Sequence, residues 1–293
     1  MREDIFEKYR DAGILAAKIL QQGAQEIRVG GSYLELIESV ELRVQDDGAD
    51  LAFPLNVSLN EDAAHDTAST GDNRVFSNGD VVKLDLGLQL DGYIADTATT
   101  IDLGNNALLL DASRHALEAA IKKVRPGTTA GELGAAIQFE IESRGYRPVA
   151  NLTGHGLGQY IIHKPPTIPN VGITGGAVLE EGMVFAIEPF ASTGSGHVRE
   201  KTRMEIYSQI AQKPVRVPSA RAVLELVSAR RGLPFARRWM RDKKMDLAIF
   251  GLVKSQVLRG YPVLSDIAGS LVSQHEHTLI VTEDGCIVTT LAR

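Results

Sequence analysis

Five residues able to hold a divalent metal, Asp85, Asp96, His155, Glu188 and Glu276, are scattered along the chain, each in a short apolar or glycine-rich setting. A carboxylate rarely stays charged in such a setting unless something pairs with it, because desolvating a lone charge is costly. The chemistry these side chains have in common is cation binding. Cys286 is the one cysteine, which excludes an intramolecular disulfide and any multi-cysteine zinc or iron–sulfur site. A bound metal must therefore take oxygen and imidazole.

Two of the five lie in VVKLDLGLQLDGYIADTATT, residues 81–100, which reads as two strands joined by the turn Asp91-Gly92. That turn sets a register pairing Leu90 with Tyr93, Gln89 with Ile94, Leu88 with Ala95 and Gly87 with Asp96. Asp85, two residues from Gly87, then shares a face with Asp96. As diagonal neighbours their Cβ atoms should be roughly 7 to 8 Å apart or somewhat less, a spacing that two like charges favour only with a cation between them. The ordinary alternative makes Lys83, Asp85, Gly87 and Gln89 the wet face of an amphipathic strand, with Leu84, Leu86, Leu88 and Leu90 dry.

The remaining three sit in equally distinctive segments. TGHGLGQYIIHK, residues 153–164, surrounds His155 with glycines that let a ligand approach the backbone, and adds His163 eight positions on. A lone histidine is usually structural, and two sharing such a segment weaken that reading. FAIEPF ends an apolar strand at Glu188, just before a proline. In QHEHT, Glu276 alternates away from His275 and His277 as a final strand begins.

These segments need elements to position them. Helical periodicity runs over residues 3–22 (Ile5, Tyr9, Ala12, Ala16, Ile19, Leu20), breaks at Gly30-Gly31 and resumes from Tyr33 to Val44. Strands are expected at Phe53–Leu59 and across the Asp85/Asp96 hairpin to Leu103. Helices at about 107–124 and 129–144 flank Pro126-Gly127, the second opened by a Thr cap with Glu132. Further strands are expected at Met183–Phe190 and in a C-terminal hairpin turning at Asp284-Gly285. The order of helices followed by a hairpin occurs twice, which suggests two similar halves closing on a shared site. Residues 219–259 read as helical, ended by Gly260-Tyr261-Pro262.

Composition excludes several classes. With 293 residues, 44% hydrophobic and 23% charged, the chain has the balance of a soluble globular protein with a well-buried core. A net charge of −6 with interspersed signs marks no nucleic-acid surface and no polybasic membrane anchor. One local exception is the basic run Arg230, Arg231, Arg237, Arg238, Arg241, Lys243 and Lys244. It reads as the solvated face of a helix, with the ribosome or an acidic peptide as the alternative it could face. The start, MREDIFEKYRDAGILAAKILQQG, is a charged amphipathic pattern, neither signal peptide nor membrane span, so a cytoplasmic protein is expected. A monomer is expected because no exposed apolar helix face stands out, and the sequons at Asn56 and Asn151 are read as accidental.

AFPLNVSLNEDAAHDT (52–67), KLDLGLQLDGYIADTATT, GHGLGQYIIH, FAIEPF and QHEHTLIV, in this order and spacing, resemble the methionine aminopeptidases. The stretch from about 210 to 265, with PVRV, LPFARRW and GYPVL, resembles the type 2 class, and the short N-terminus resembles its archaeal version. The resemblance covers essentially the whole chain. It implies the α+β pita-bread fold, two αβ halves around a curved antiparallel sheet, forming a single catalytic domain over 1–293 with an inserted helical subdomain at 210–265.

The same resemblance implies that Asp85 binds one metal, that His155 and Glu188 bind another, and that Asp96 and Glu276 bridge the two. Manganese, iron, cobalt and zinc all suit such a donor set. Two ions about 3.5 to 4 Å apart would activate a shared water and polarise the scissile carbonyl, while the substrate's free amine binds one of them. By resemblance His163 meets the scissile carbonyl and its oxyanion, His65 the substrate amide or leaving amine, and Glu188 relays a proton. Phe53 is the candidate wall for a methionine side chain, with an ordinary core aromatic as the alternative. The implied activity is removal of the initiator methionine from nascent chains with a small second residue.

One departure is His275, where the family usually carries an aromatic; alternation places it away from the metals, as an altered neighbour of the site or a packing residue. Prolidases and Xaa-Pro aminopeptidases are the first alternative reading, and they often carry an N-terminal domain not seen here. A non-enzymatic homologue or a creatinase-like enzyme would have lost metal carboxylates, whereas all five ligands are present.

Overall fold

The computed structural model describes residues 1–240 and 242–291; Arg241, part of the basic run, lies outside them. The chain opens with helices α1 (Glu3–Glu26) and α2 (Tyr33–Asp46). The α1 stripe Tyr9, Ala12, Ala16, Ile19 and Leu20 is buried as its spacing predicts. Ser32 caps α2 by accepting from Glu35 N. Strands β1 (Asp50–Leu51), β2 (Asn56–Leu59), β3 (Asp62–Ala64), β4 (Val81–Leu90) and β5 (Tyr93–Asp102) follow. Helices α3 (Ala107–Ile121) and α4 (Ala130–Ser143) come next, and α4 starts with the expected Thr129/Glu132 capping box.

The second half contains β6 (Arg147–Pro148), β7 (Thr153–Gly158), β8 (Ile161–Pro169), β9 (Val184–Ile187), β10 (Phe190–Ser192) and β11 (Arg199–Gln209). Then come α5 (Pro218–Ser228), β12 (Phe235–Ala236), a 3-10 turn at Arg237–Trp239 and α6 (Lys243–Lys254). The chain finishes with β13 (Leu258–Ser265), β14 (Val272–Gln274), β15 (His277–Val281) and β16 (Cys286–Val288).

Every strand pair is antiparallel. The β4–β5 hairpin has the predicted register, Gly87 opposite Asp96 and Leu90 opposite Tyr93, and Asp91 and Gly92 take the positive φ values that a two-residue turn requires (53° and 88°). Leu84, Leu86 and Leu88 pack under α1 and α2 against Ile19, Ile37 and Val40. A matching core under α3 and α4 joins Leu117, Leu133 and Ile137 to Phe185, Ile187 and Leu279. Two helix pairs thus cover the outside of curved antiparallel sheets, the pita-bread arrangement of two halves around a shared interior.

Several elements differ from the sequence reading. The strand expected from Phe53 begins only at Asn56, because Pro54 has no N–H to give and Leu55 N donates to Glu41 instead. Met183–Phe190 is two strands broken at Glu188-Pro189; β9 pairs with β7 and β15, β10 with β6 and β14, so the chain changes sheets there. The C-terminal hairpin turns through four residues, Thr282 to Gly285, with Thr282 N donating to Gly285 O, and neither Asp284 nor Gly285 takes positive φ. Within 219–259, FARRWM is a two-residue strand and a 3-10 turn rather than an α-helix, and Gly260-Tyr261-Pro262 lies inside β13 rather than ending a helix.

The basic run is also not one solvated helix face. Arg237 pairs with Asp246 and Arg238 with Glu41, and Arg230 donates to the carbonyls of Pro234 and Leu51. Only Arg231, Lys243 and Lys244 of its described members are exposed. An exposed apolar helix face, not expected from the sequence, is present on α6, where Leu247 and Phe250 are exposed one turn apart.

Candidate active site

All five candidate ligands, together with His65, His163 and Phe53, line one cavity with an empty volume of ≈ 520 Å³. Asp85 comes from β4 and Asp96 from β5, on the shared face that the hairpin register dictates. Their strand face is not the wet one of the ordinary alternative, because Lys83 and Gln89 beside them are buried. His155 comes from β7 and His163 from β8, their rings edge to face with centroids 4.3 Å apart. Glu188 reaches the cavity from the break between β9 and β10, where Pro189 ends the ladder. Glu276 comes from the bridge that Ala98 forms with the segment preceding β15.

That bridge registers one half of the molecule on the other. Ala98 and Glu276 exchange backbone hydrogen bonds of 3.3 and 3.0 Å. Thr278 Oγ1 accepts from Asp96 N and donates to Asp96 O, both at 2.8 Å. Thr97 Oγ1 donates to Glu276 O at 2.9 Å, and Thr100 Oγ1 donates to Gln274 O and accepts from Gln274 N. Threonine hydroxyls here replace missing ladder bonds, so the Asp96 and Glu276 carboxylates are held by backbone rather than by loops. Sequence reasoning quoted IADTATT and QHEHT but gave these threonines and Gln274 no role; their alternation with the ligands was the available signal.

His155 Nε2 lies 3.8 Å from Asp96 Oδ2 and 3.6 Å from Glu188 Oε1, too far for hydrogen bonds and close enough to share an ion. Asp96, His155 and Glu276 each offer a ligand atom within 4.8 Å of the others. One oxygen on each of Asp85, Asp96 and Glu276 is buried without a partner. His65 takes φ 66°, a left-handed conformation uncommon for histidine. The buried Asp66 anchors it, accepting from Arg74 Nη1 at 2.5 Å and Arg203 Nε at 2.9 Å.

The apolar side of the cavity was only partly legible in the sequence. Phe53 is there, and so are Ile162, Ile206, Pro234 and Tyr261, which motif reading did not single out. Phe53 packs against Gly87, where a Cβ would come within 2.1 Å of its ring, so that position must be glycine. Phe53 is buried and also lines the cavity. His275 faces the opposite side of its strand, its Nδ1 2.8 Å from Ser113 Oγ, as alternation predicts.

The sequence profile of metallopeptidase family M24 matches residues 7–283. This chain belongs to that family, among its methionine aminopeptidases. The methionine aminopeptidase of Archaeoglobus fulgidus is 48% identical over 291 residues, covering 99% of this chain and 100% of that protein. That of Methanocaldococcus jannaschii is 42% identical over 288 residues, covering 97% and 98%. The crystal structure of methionine aminopeptidase from Rickettsia prowazekii superposes with a TM-score of 0.74 at 25% identity, over 99% of this chain and 98% of that one.

The donor set of this M24 chain fits divalent cations. Burial raises the pKa of Asp85 to about 7 against the lowering pull of the Gln274 side chain, while desolvation first and repulsion by the neighbouring carboxylates next raise Asp96, Glu188 and Glu276 well above the usual carboxylate range. Although Asp85, Glu188 and His155 keep some contact with the cavity, protein encloses them on their other sides. Desolvation also drops His155 to about 3, which keeps its imidazole neutral and able to ligate. Protons and cations therefore compete for the same oxygens.

Two outcomes are expected. Thr278→Val removes both bonds to Asp96 at nearly constant volume, so urea unfolding should show a loss of about 1–3 kcal/mol, with Thr278→Ser close to wild type. The second concerns pH. Asp85 has a folded pKa above its unfolded value, so in the stripped protein it costs stability increasingly from pH near 4 up to about 7. A bound cation cancels that cost. The gain in thermal midpoint from saturating manganese should therefore be small at pH 5.5 and grow through pH 7. Groups outside the cluster, such as Lys83, contribute to both forms alike and drop out of the difference. A gain that is flat from pH 5.5 to 8 would contradict the assignment.

Proposed function

We propose that this chain is a metal-dependent aminopeptidase that removes the initiator methionine from nascent proteins with a small second residue. The observation that carries the reading is the juxtaposition, in one cavity, of a carboxylate cluster with unpartnered oxygens and an apolar wall. Asp85 would hold one divalent ion, His155 and Glu188 a second, with Asp96 and Glu276 shared between them. Bound there, such ions supply an activated water and polarise the scissile carbonyl. Manganese, iron, cobalt and zinc all suit five oxygen and imidazole ligands.

The chain's other residues would act on the peptide. Phe53, Ile162, Ile206, Pro234 and Tyr261 would receive the methionine side chain and exclude water from it. Burial and the nearby Arg259 lower the pKa of His163, and burial with the neighbouring His163 lowers His65 to about 4, so both rings are neutral at physiological pH. His163 would donate its one N–H to the carbonyl oxygen as negative charge develops there. His65 Nδ1 lies 3.3 Å from Pro262 O, which can only accept; the proton is therefore on Nδ1, and Nε2 is left as an acceptor. That tautomer suits the N–H of the scissile amide better than its carbonyl. Glu188, itself one of the donors, would carry the proton from the attacking water to the departing amine.

The remaining parts of the reading follow from composition and surface. A cytoplasmic location is supported by a single cysteine that forms no disulfide and by the lack of any helix, among the described residues, long and apolar enough to cross a membrane. Exposed Lys243, Lys244 and Lys254 around Leu247 and Phe250 on α6 support a ribosome-facing surface, within an insert at 210–265 of one catalytic domain over 1–293 that would act as a monomer.

The direct test is release of methionine from Met-Ala-Ser, Met-Leu-Ser and a Xaa-Pro control by stripped protein reloaded with each metal. Metal-dependent cleavage of the Met-Ala peptide in preference to the others is expected, and cleavage confined to the Xaa-Pro control would replace this reading with a prolidase. His163→Ala should lower kcat by about 10²–10³ while metal content stays at the wild-type level; loss of metal would make His163 a ligand instead.

A further inference from the structure

The two walls of the apolar pocket come from segments far apart in sequence. Phe53 belongs to the loop between β1 and β2, Pro234 to the connection between α5 and β12. Arg230 spans them. Its Nε donates to Pro234 O at 2.8 Å, and its Nη2 donates to Leu51 O at 2.8 Å and to Ala52 O at 3.4 Å. Its described partners are carbonyls rather than carboxylates, an unusual choice for a cation in a basic run. Burial lowers its pKa to about 10, so the arrangement is costly to the charge and gains geometry in return.

The same loop is fixed at its other end. Leu55 N donates to Glu41 Oε1 at 3.1 Å, and Glu41 accepts from Trp239 Nε1 at 3.1 Å and from Arg238. Trp239 in turn packs on the Arg230 guanidinium, 5.0 Å from ring centre to Cζ. Phe53, the loop's cavity-facing ring, is thus suspended between Arg230 at one end of the loop and Glu41, braced by Arg238 and Trp239, at the other, and it presses on Gly87.

We propose that Arg230 is a positioning residue that sets the width of the pocket for the substrate's N-terminal side chain, by holding the Phe53 wall at a fixed distance from the Pro234 wall. The proposal rests on the reading of this cavity as the methionine pocket. An apolar pocket distinguishes an unbranched thioether from branched or larger side chains only by shape, so the rigidity of its walls determines selectivity. A planar guanidinium fork bonded to carbonyls of both walls fixes their separation, whereas an ammonium on a flexible stem does not. Arg230 touches no reacting atom, so its removal should act on binding and side-chain preference rather than on the chemical step.

The experiment compares wild type, Arg230→Lys and Arg230→Met as manganese-loaded full-length proteins, on Met-Ala-Ser and on the same peptide with N-terminal leucine or phenylalanine. Arg230→Lys should raise KM for Met-Ala-Ser about tenfold with kcat within about twofold of wild type, and the preference for methionine over leucine should fall by a similar factor. Arg230→Met should lose more. Arg230→Lys keeps the buried cation and decides the question alone if Arg230→Met does not fold. Unchanged KM and unchanged methionine preference in Arg230→Lys, even with a lowered thermal midpoint, would overturn the proposal and leave the peptidase reading standing. Failure of metal-loaded wild type to release methionine would overturn both.

Discussion

Four carboxylates, Asp85, Asp96, Glu188 and Glu276, converge from four segments into one cavity, and without a counter-charge their mutual repulsion and desolvation would favour taking up protons over staying charged. Much of the architecture follows from meeting that constraint. The helix pairs α1/α2 and α3/α4 bury the outer faces of the strands, so that each inner face can be given to the cavity. Placing charge where a core would otherwise be is tolerable when the strands carrying it cannot move apart and a cation can enter. The unpartnered oxygens of Asp85, Asp96 and Glu276 are the mark of a cluster built for an ion.

Rigidity comes from hydrogen bonds that regular strand pairing alone would not provide. Thr97, Thr100 and Thr278 stitch β5 to the segment around Glu276, and the Glu188-Pro189 break lets one chain serve two sheets while turning a carboxylate inward. On the substrate side the same economy of parts applies. Asp66 with Arg74 and Arg203 holds the strained His65, and Arg230 with Glu41 holds Phe53. The polar residues nearest the site are therefore mostly framework, leaving a small number free to meet the peptide.

The sequence disclosed the site better than it disclosed the framework. Asp91-Gly92 permits one tight turn, and from it the register placing Asp85 and Asp96 together follows by counting. Thr129 with Glu132 announces a helix start for an equally local reason. The misreadings arose where tertiary partners overrode local pattern. FARRWM has helical composition, but Arg238 is drawn to Glu41 and Arg237 to Asp246, and the segment becomes a short strand and a single turn. Asp284-Gly285 looks like a two-residue turn until Thr282 bonds Gly285. The places of Ile206, Pro234 and Tyr261 had no local signature, because only the folding of β11, β13 and the connection before β12 beside Phe53 brings them to the pocket.

The central claim is that this cluster exists to hold cations, and a count of ions tests it most directly. Wild-type protein, stripped by chelation and dialysed to equilibrium against manganese at pH 7.5, should retain two ions per chain by elemental analysis. Retention of no stoichiometric metal would contradict the account, since the carboxylates would then be left with protons alone to neutralise them.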